Sequence, residues 1–155
     1  MKFELIAVGK LRNSHYRALT DDYVERLSHY LQVEEIEVAP SDKRTHDVDA
    51  GLEEEAEALR DASAEGAYEI ALDEGGKEIT SRQLAKWVDD WMIGGVRHVS
   101  FYIGSADGLD RSVRKASRRV WSLSKLTFPH EMARMILAEQ LYRAMSIIRG
   151  EPYHR

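Results

Sequence analysis

Apolar residues recur along this chain in two alternating rhythms: short dense runs, and longer stretches spaced by three and four. Phe3 to Val8 is a dense run broken only by Glu4 and closed by Gly9, which predicts a largely buried first strand. Ser14 is placed to cap a helix through about Ser28, with Tyr16, Leu19, Tyr23, Val24 and Leu27 on one side. Val33 to Val38 nearly alternates apolar residues with glutamate and predicts a second strand, and Pro40 to His46 reads as a polar loop. Val48 to Ala64 predicts a surface helix with Leu52, Ala56 and Leu59 inward. Tyr68 to Leu72 predicts a third strand, and Glu74-Gly75-Gly76-Lys77 a turn. Thr80 or Ser81 caps a helix carrying Leu84, Trp87, Val88 and Trp91, which Gly94-Gly95 ends. A fourth strand is expected at Val96 to Ile103, a loop at Gly104 to Gly108 and a basic helix from Asp110 or Ser112. Trp121 to Ser124 predicts the fifth strand. Phe128-Pro129 opens a last helix, His130 to Arg149, stopped by Gly150 and Pro152.

Strands alternating with helices predict an α/β fold with an open, mostly parallel sheet flanked by helices. No repeat, low-complexity tract or linker interrupts the chain, so one domain spanning 1–155 is expected. The strand ends at Leu72, Ile103 and Ser124 open onto loops rich in Gly, Ser, Thr or Asp. Ligands of open α/β sheets bind outside the carboxyl ends of the strands. These three loops therefore form a candidate pocket, with an apolar slot and the backbone donors and acceptors that adenine needs. The last helix is apolar nearly all round, from Met132 and Met135 to Ile147 and Ile148, which predicts burial on two sides. One side suits the sheet and the other a second copy of the same helix.

Charge refines this picture. The net charge of −5 argues against nucleic acid until its distribution is read. Residues 1–108 carry 12 Lys+Arg against 23 Asp+Glu, whereas residues 109–155 carry 10 against 4. A basic surface on an acidic protein can still bind RNA, because the local field governs the encounter. Arg111, Arg114, Lys115, Arg118 and Arg119 supply that surface, unless they are only a solvated helix face. The chain has 43% hydrophobic residues and no cysteine, which fits a globular protein of a reducing compartment without disulfides or thiolate metal sites. No leader precedes the first strand and no apolar run reaches about 18 residues, so a soluble, cytoplasmic protein without membrane contact is expected.

Several chemistries lose their support. A P-loop ending at Gly76-Lys77 would need glycine at 71 and serine or threonine at 78, where Ala71 and Glu78 stand. The glycines at 104 and 108 lack dinucleotide spacing. His130-Glu131 starts a zinc-protease pattern, but Arg134 occupies the second ligand position. No G-x-S-x-G elbow is present. No metal is expected.

The segments Trp121-Ser-Leu-Ser-Lys-Leu-Thr-Phe-Pro-His130, Ala138-Glu-Gln-Leu-Tyr-Arg-Ala-Met-Ser-Ile147 and the terminal Pro152-Tyr-His-Arg155 carry a resemblance, joined by Leu72 to Lys77 and Ile103 to Leu109. Together they cover essentially the whole chain. The chain resembles the ribosomal RNA large subunit methyltransferase H family, pseudouridine N3-methyltransferases of the SPOUT superfamily. The resemblance implies a C-terminal trefoil knot, S-adenosylmethionine as methyl donor, 23S rRNA in assembled ribosomes as substrate, and a homodimer in which one subunit's tail completes the other's site. It implies that Leu72, Gly104 and the run Leu123, Ser124, Lys125, Leu126, Thr127 and Phe128 line the cofactor; without it the leucines would read as core and Gly104 as a turn. The family pattern at the fourth strand's end is Gly-Gly-Pro-Glu-Gly, where this chain has Gly104-Ser105-Ala106-Asp107-Gly108.

Methylating a uracil-type imide requires loss of its N3 proton. His154 is the candidate base, since an ordinary imidazole titrates near a pKa of about 6.5. Arg143 and Arg155 can stabilise the imide anion or hold phosphate, and Tyr142 and Tyr153 can stack on the base. The competing roles are a free tail for His154, helix packing for Tyr142 and an ion pair with Glu139 for Arg143. Two other functions remain open: a non-catalytic nucleotide- or RNA-binding α/β module, and a structural dimerisation protein.

Overall fold

A computed structural model describes residues 1–155. The elements are β1 (Lys2–Val8), α1 (Ser14–Ser28), β2 (Gln32–Val38), α2 (Val48–Ala62), β3 (Tyr68–Glu78), α3 (Ser81–Ile93), β4 (His98–Ile103), α4 (Arg111–Ala116), β5 (Arg119–Ser122) and α5 (His130–Ile148). The strands form one sheet in the order β2-β1-β4-β3-β5, and every pairing is parallel. Parallel pairing requires long crossovers, which the helices supply.

Alternation along the strands builds two cores, one on each face. Phe3, Leu5, Ala7, Val99, Phe101 and Ile103 point toward one face, packed with Leu27 of α1, Leu84, Val88 and Trp91 of α3, and Leu137, Leu141 and Met145 of α5. Phe3 meets Phe101 edge to face, with ring centres 5.5 Å apart, an arrangement aromatic quadrupoles favour. Ile6, Val8, Ala71 and Tyr102 point to the other face, against Ala56 and Leu59 of α2 and Val113 of α4. The helix α5 lies on the sheet between α1 and α3. To reach that place from β5, at the edge of the sheet, the chain of 123–129 passes across the carboxyl ends of β3 and β4.

Local chemistry shifts several expected boundaries. Asn13, not Ser14, caps α1, its side-chain oxygen accepting from the N–H groups of His15 and Tyr16. The expected loop after β2 holds a 3₁₀ turn at Asp42–Thr45. The capping box on α3 joins Thr80 to Gln83 as its sequence allows. The expected turn at Glu74 to Lys77 is instead part of β3. Leu72 and Lys77 both sit opposite Trp121, so the residues between them bulge from the ladder before pairing resumes at Lys77 and Glu78. Gly76 allows this, because a Cβ there would stand 2.7 Å from the Val120 carbonyl oxygen. The basic helix is shorter than expected, since the chain is already in β5 at Arg119. That guanidinium lies 4.3 Å over the Trp87 ring and donates to the Tyr68 hydroxyl at 2.9 Å.

One acid interrupts the core of the α2 face. Glu4 is 3% exposed and accepts from Ser100 Oγ at 2.7 Å and the Ala64 N–H at 3.1 Å, with His98 Nδ1 at 3.3 Å. Burial by itself would raise its pKa; the bonds from Ser100, Ala64 and His98 outweigh that and hold it below the ordinary value of 4.5. Glu4→Ala leaves the Ser100 hydroxyl proton and the Ala64 N–H without an acceptor, although Ser63 still donates to Ser100 Oγ at 2.8 Å; the cost, about 2–4 kcal/mol, is measured by denaturant unfolding. The depressed pKa means that Glu4 contributes fully above the unfolded value and loses that contribution as pH falls through the folded one. The stability gap between the native protein and Glu4→Gln is therefore expected to shrink as pH drops below about 4.5.

Candidate functional site

A cavity of about 800 Å³ opens at the carboxyl ends of β3, β4 and β5. Leu72, Asp73 and Glu74 reach it from the β3 bulge, and residues 103–109 from the loop after β4. Leu123, Ser124 and 126–129 form a third wall, closed by His130 and Ala133 of α5 and by Arg114 of α4. Seven of the eight residues expected to bind a cofactor line this cavity: Leu72, Gly104, Leu123, Ser124, Leu126, Thr127 and Phe128. Lys125 does not; its N–H donates to Glu78 at 3.1 Å and the residue is exposed. Asp73 and Glu74 come from the first of the three expected loops, now part of the β3 bulge; sequence reasoning missed Arg114 and Ala133, which two helices bring in from outside the loops.

Backbone geometry shapes the walls. Gly104 and Gly108 approach so closely that a Cβ on Gly104 would stand 2.3 Å from the Gly108 carbonyl oxygen. Gly108 adopts φ +85°, and its N–H closes the turn onto the Ser105 carbonyl at 2.9 Å. On the facing wall, Thr127 Oγ1 donates to Glu74 at 2.9 Å, and the Leu126 N–H donates to Ser124 Oγ at 3.0 Å. Asp73 accepts from the Gly75 N–H at 2.9 Å and lies 3.6 Å from Arg114. Leu126 is 72% exposed although it borders the cavity. Apolar side chains, backbone polar groups and the carboxylates of Asp73, Glu74 and Asp107 fit a ligand with a flat apolar ring and a positive centre.

The candidate catalytic residues gather at the other end of α5. The Tyr153 ring packs edge-on against Tyr142, centres 4.7 Å apart, and its hydroxyl donates to Glu139 at 2.9 Å and lies 3.3 Å from the Tyr23 hydroxyl. Arg143 pairs with Glu139, lies 4.7 Å over the Tyr153 ring, and comes within 3.5 Å of His154 Nδ1. Arg155 is exposed. Burial first, then the bonds to Tyr23 and Glu139, push the Tyr153 phenol far above its ordinary pKa, so it is a neutral donor at pH 7. The Arg143 guanidinium is likewise held in its charged form, chiefly by the hydrogen bond to Glu139. Tyr30 bonds Glu151 and anchors the turn after α5; burial, then that bond, raises its pKa to about 12. The terminal residues are thus folded back onto α1 and α5. Glu139 is the partner that orders them, and Tyr23, Tyr30 and Glu151 were not foreseen.

These two clusters do not meet in one chain. From His130, at the cavity, α5 rises roughly 27 Å to Ile148, where the tail begins.

The comparisons with known proteins follow the whole chain. The family model described as "Predicted SPOUT methyltransferase" matches residues 1–154. Proteins named ribosomal RNA large subunit methyltransferase H are similar end to end. The one from Gloeobacter violaceus is 45% identical over 99% of both chains, and the one from Methylobacillus flagellatus 44% identical over 100% of this chain and 99% of its own. Among solved structures, a probable methyltransferase from Bordetella pertussis shares the fold with a TM-score of 0.57 at 16% identity, covering 92% of this chain and 95% of the other.

Glu139→Gln is expected to free the tail: amide exchange at 152–155 should accelerate while exchange within the sheet stays unchanged. Gly104→Ala forces backbone apart at the cavity wall and should cost about 1–3 kcal/mol in denaturant unfolding.

Proposed function

The chain belongs to the SPOUT methyltransferase family, and from that membership we propose that it methylates N3 of a pseudouridine in 23S rRNA, acting on assembled ribosomes. Full-length relatives named ribosomal RNA large subunit methyltransferase H make the coarser statement, an rRNA methyltransferase, firm. The observation that carries the finer reading is the pairing of an adenosine-sized cavity at the strand ends with an aromatic, histidine- and arginine-bearing tail at the far end of α5.

S-adenosylmethionine, when bound, supplies a methyl carbon already activated by its sulfonium. Leu72, Leu123, Leu126 and Phe128 would enclose the adenosine, and the peptide groups around Gly104 and Ser124 would bond its edge. Asp73 and Glu74 would favour its positive charge. The remaining task is to orient the base and remove one proton. Orientation alone can contribute on the order of 7–11 kcal/mol. Tyr142 and Tyr153 offer aromatic faces for the base, and the neutral Tyr153 phenol donates. Arg143, held charged, and Arg155 stabilise the negative imide or bind phosphate. His154 takes the N3 proton.

The separation along α5 supports a homodimer. Two copies of α5 packed antiparallel about a two-fold axis would bring each tail to the partner's cavity. Met132, Met135 and Ile136, half-buried in the single chain, lie beside that cavity for such a contact. The same reading includes one catalytic domain over 1–155, a trefoil knot where 123–129 crosses the strand ends, and a cytoplasmic location, where ribosomes are.

The deciding experiment is transfer of labelled methyl from S-adenosylmethionine to unmodified ribosomes, with free 23S rRNA and separated subunits alongside. Label on a pseudouridine in ribosomes is expected; cofactor binding without label on any RNA would favour a binding module instead. His154→Ala should lower kcat by about 10²–10⁴ without changing cofactor affinity. Sedimentation should give a dimer at micromolar concentration, and mixing His154→Ala chains with Gly104→Ala chains, whose cavity wall is displaced, should give more activity than either alone. A strictly monomeric species would sink the shared site.

A further inference from the structure

We propose that Arg44 is a positioning residue for the cavity: it clamps the Gly104–Gly108 loop to a buried carboxylate of α2. The inference rests on the cofactor reading of that cavity and extends it to residues outside the three loops. Glu55 is 2% exposed in the middle of α2. Its carboxylate accepts from the Ser41 N–H at 3.0 Å, from Arg44 Nη1 at 3.1 Å and from Ser105 Oγ at 3.1 Å. Arg44 also places Nε 3.0 Å from the Asp107 carboxylate. One guanidinium therefore bridges an acid anchored in the helix and an acid at the tip of the cavity loop. The anchored acid holds the same loop a second time through Ser105.

The loop needs such a restraint. It has a glycine at each end and no proline, so little in its own backbone limits its conformation. Its turn is closed by one peptide hydrogen bond, from the Gly108 N–H. Arg44 and Ser105 fix its position relative to α2 from outside. The sequence also makes room for the clamp. Gly51 sits inside α2, where glycine is unfavourable, and a Cβ there would lie 2.3 Å from Arg44 Cγ and 2.8 Å from the Arg44 backbone nitrogen. The two carboxylates lie against different nitrogens of one guanidinium, Glu55 through a hydrogen bond and Asp107 through a close ion pair without an aligned N–H; lysine offers a single charged nitrogen.

Arg44→Ala, Arg44→Lys, Asp107→Asn and the double variant Arg44→Ala/Asp107→Asn are compared by amide exchange without ligand and by S-adenosylmethionine titration and methyl transfer. Arg44→Ala is expected to accelerate exchange at 104–109 while β1 and β4 stay protected. The KM for S-adenosylmethionine should rise about tenfold, with kcat at saturation changed less than about twofold. Arg44→Lys should fall between, and the double variant should be no worse than Arg44→Ala, because Arg44→Ala already removes the contact that Asp107→Asn breaks. Unchanged exchange at 104–109 in Arg44→Ala overturns the clamp, as does loosening spread evenly through the sheet or strict additivity of the two substitutions. If the native protein binds no S-adenosylmethionine, the cofactor reading fails, while the exchange measurement still decides whether Arg44 orders the loop.

Discussion

The guanidinium of Arg134, 3% exposed beneath the start of α5, donates to the Gly9 carbonyl at 3.2 Å and to Glu37 at 2.8 Å, with Glu35 at 3.4 Å. Arg17 of α1 joins the same group through Glu35 at 2.8 Å. This cluster ties the β1–α1 loop, the edge strand β2 and the first turns of α5 together. A charge so buried is tolerable only while its partners stay; losing one costs about 3–5 kcal/mol. Its consequence is positional. Because α5 must begin there, the preceding residues must bridge from β5 at the sheet's edge to its centre. That bridge is what walls the cavity.

The same helix end that closes the cavity also gathers polar contacts from the chain's other end. Glu131 accepts from the N–H groups of Arg12 and Asn13, so the cap of α1 and the start of α5 are fixed to one another. The site is therefore built on packed elements, with loops restrained at both sides, which is the arrangement that keeps binding groups in place. Many basic residues of the C-terminal third serve this framework. Arg119 is stacked on Trp87, Arg134 is buried and Arg143 is paired, which leaves Arg111, Lys115, Arg118, Lys125, Arg149 and Arg155 as the exposed cations of that region.

The alternation of strands and helices was legible because it depends on neighbours a few residues apart. So was a pocket at the strand ends, since Leu72, Gly104 and Leu123 each follow a dense apolar run. What stayed hidden depends on distant partners. Glu74-Gly75-Gly76-Lys77 has the composition of a turn, yet pairing with β5, more than forty residues on, draws it into a bulged strand. Beside Glu139, Tyr153 also meets Tyr23, 130 positions away, and no local pattern announces that contact. Arg44 looked like one charge in a polar loop; its importance appears only when Glu55 and Asp107 are seen on either side of it.

The sheet's two borders differ from its interior. On one side β2 carries Glu34, Glu35 and Glu37, and on the other β5 is four residues long and pairs with β3 only on either side of a bulge. A border whose charged side chains are held in ion pairs within the molecule is a poor match for a second strand, and a very short one offers few free peptide groups. Neither border invites a neighbouring molecule to extend the sheet. Extension of the sheet from one molecule to the next is thereby disfavoured, which leaves contacts between copies to the faces of the helices.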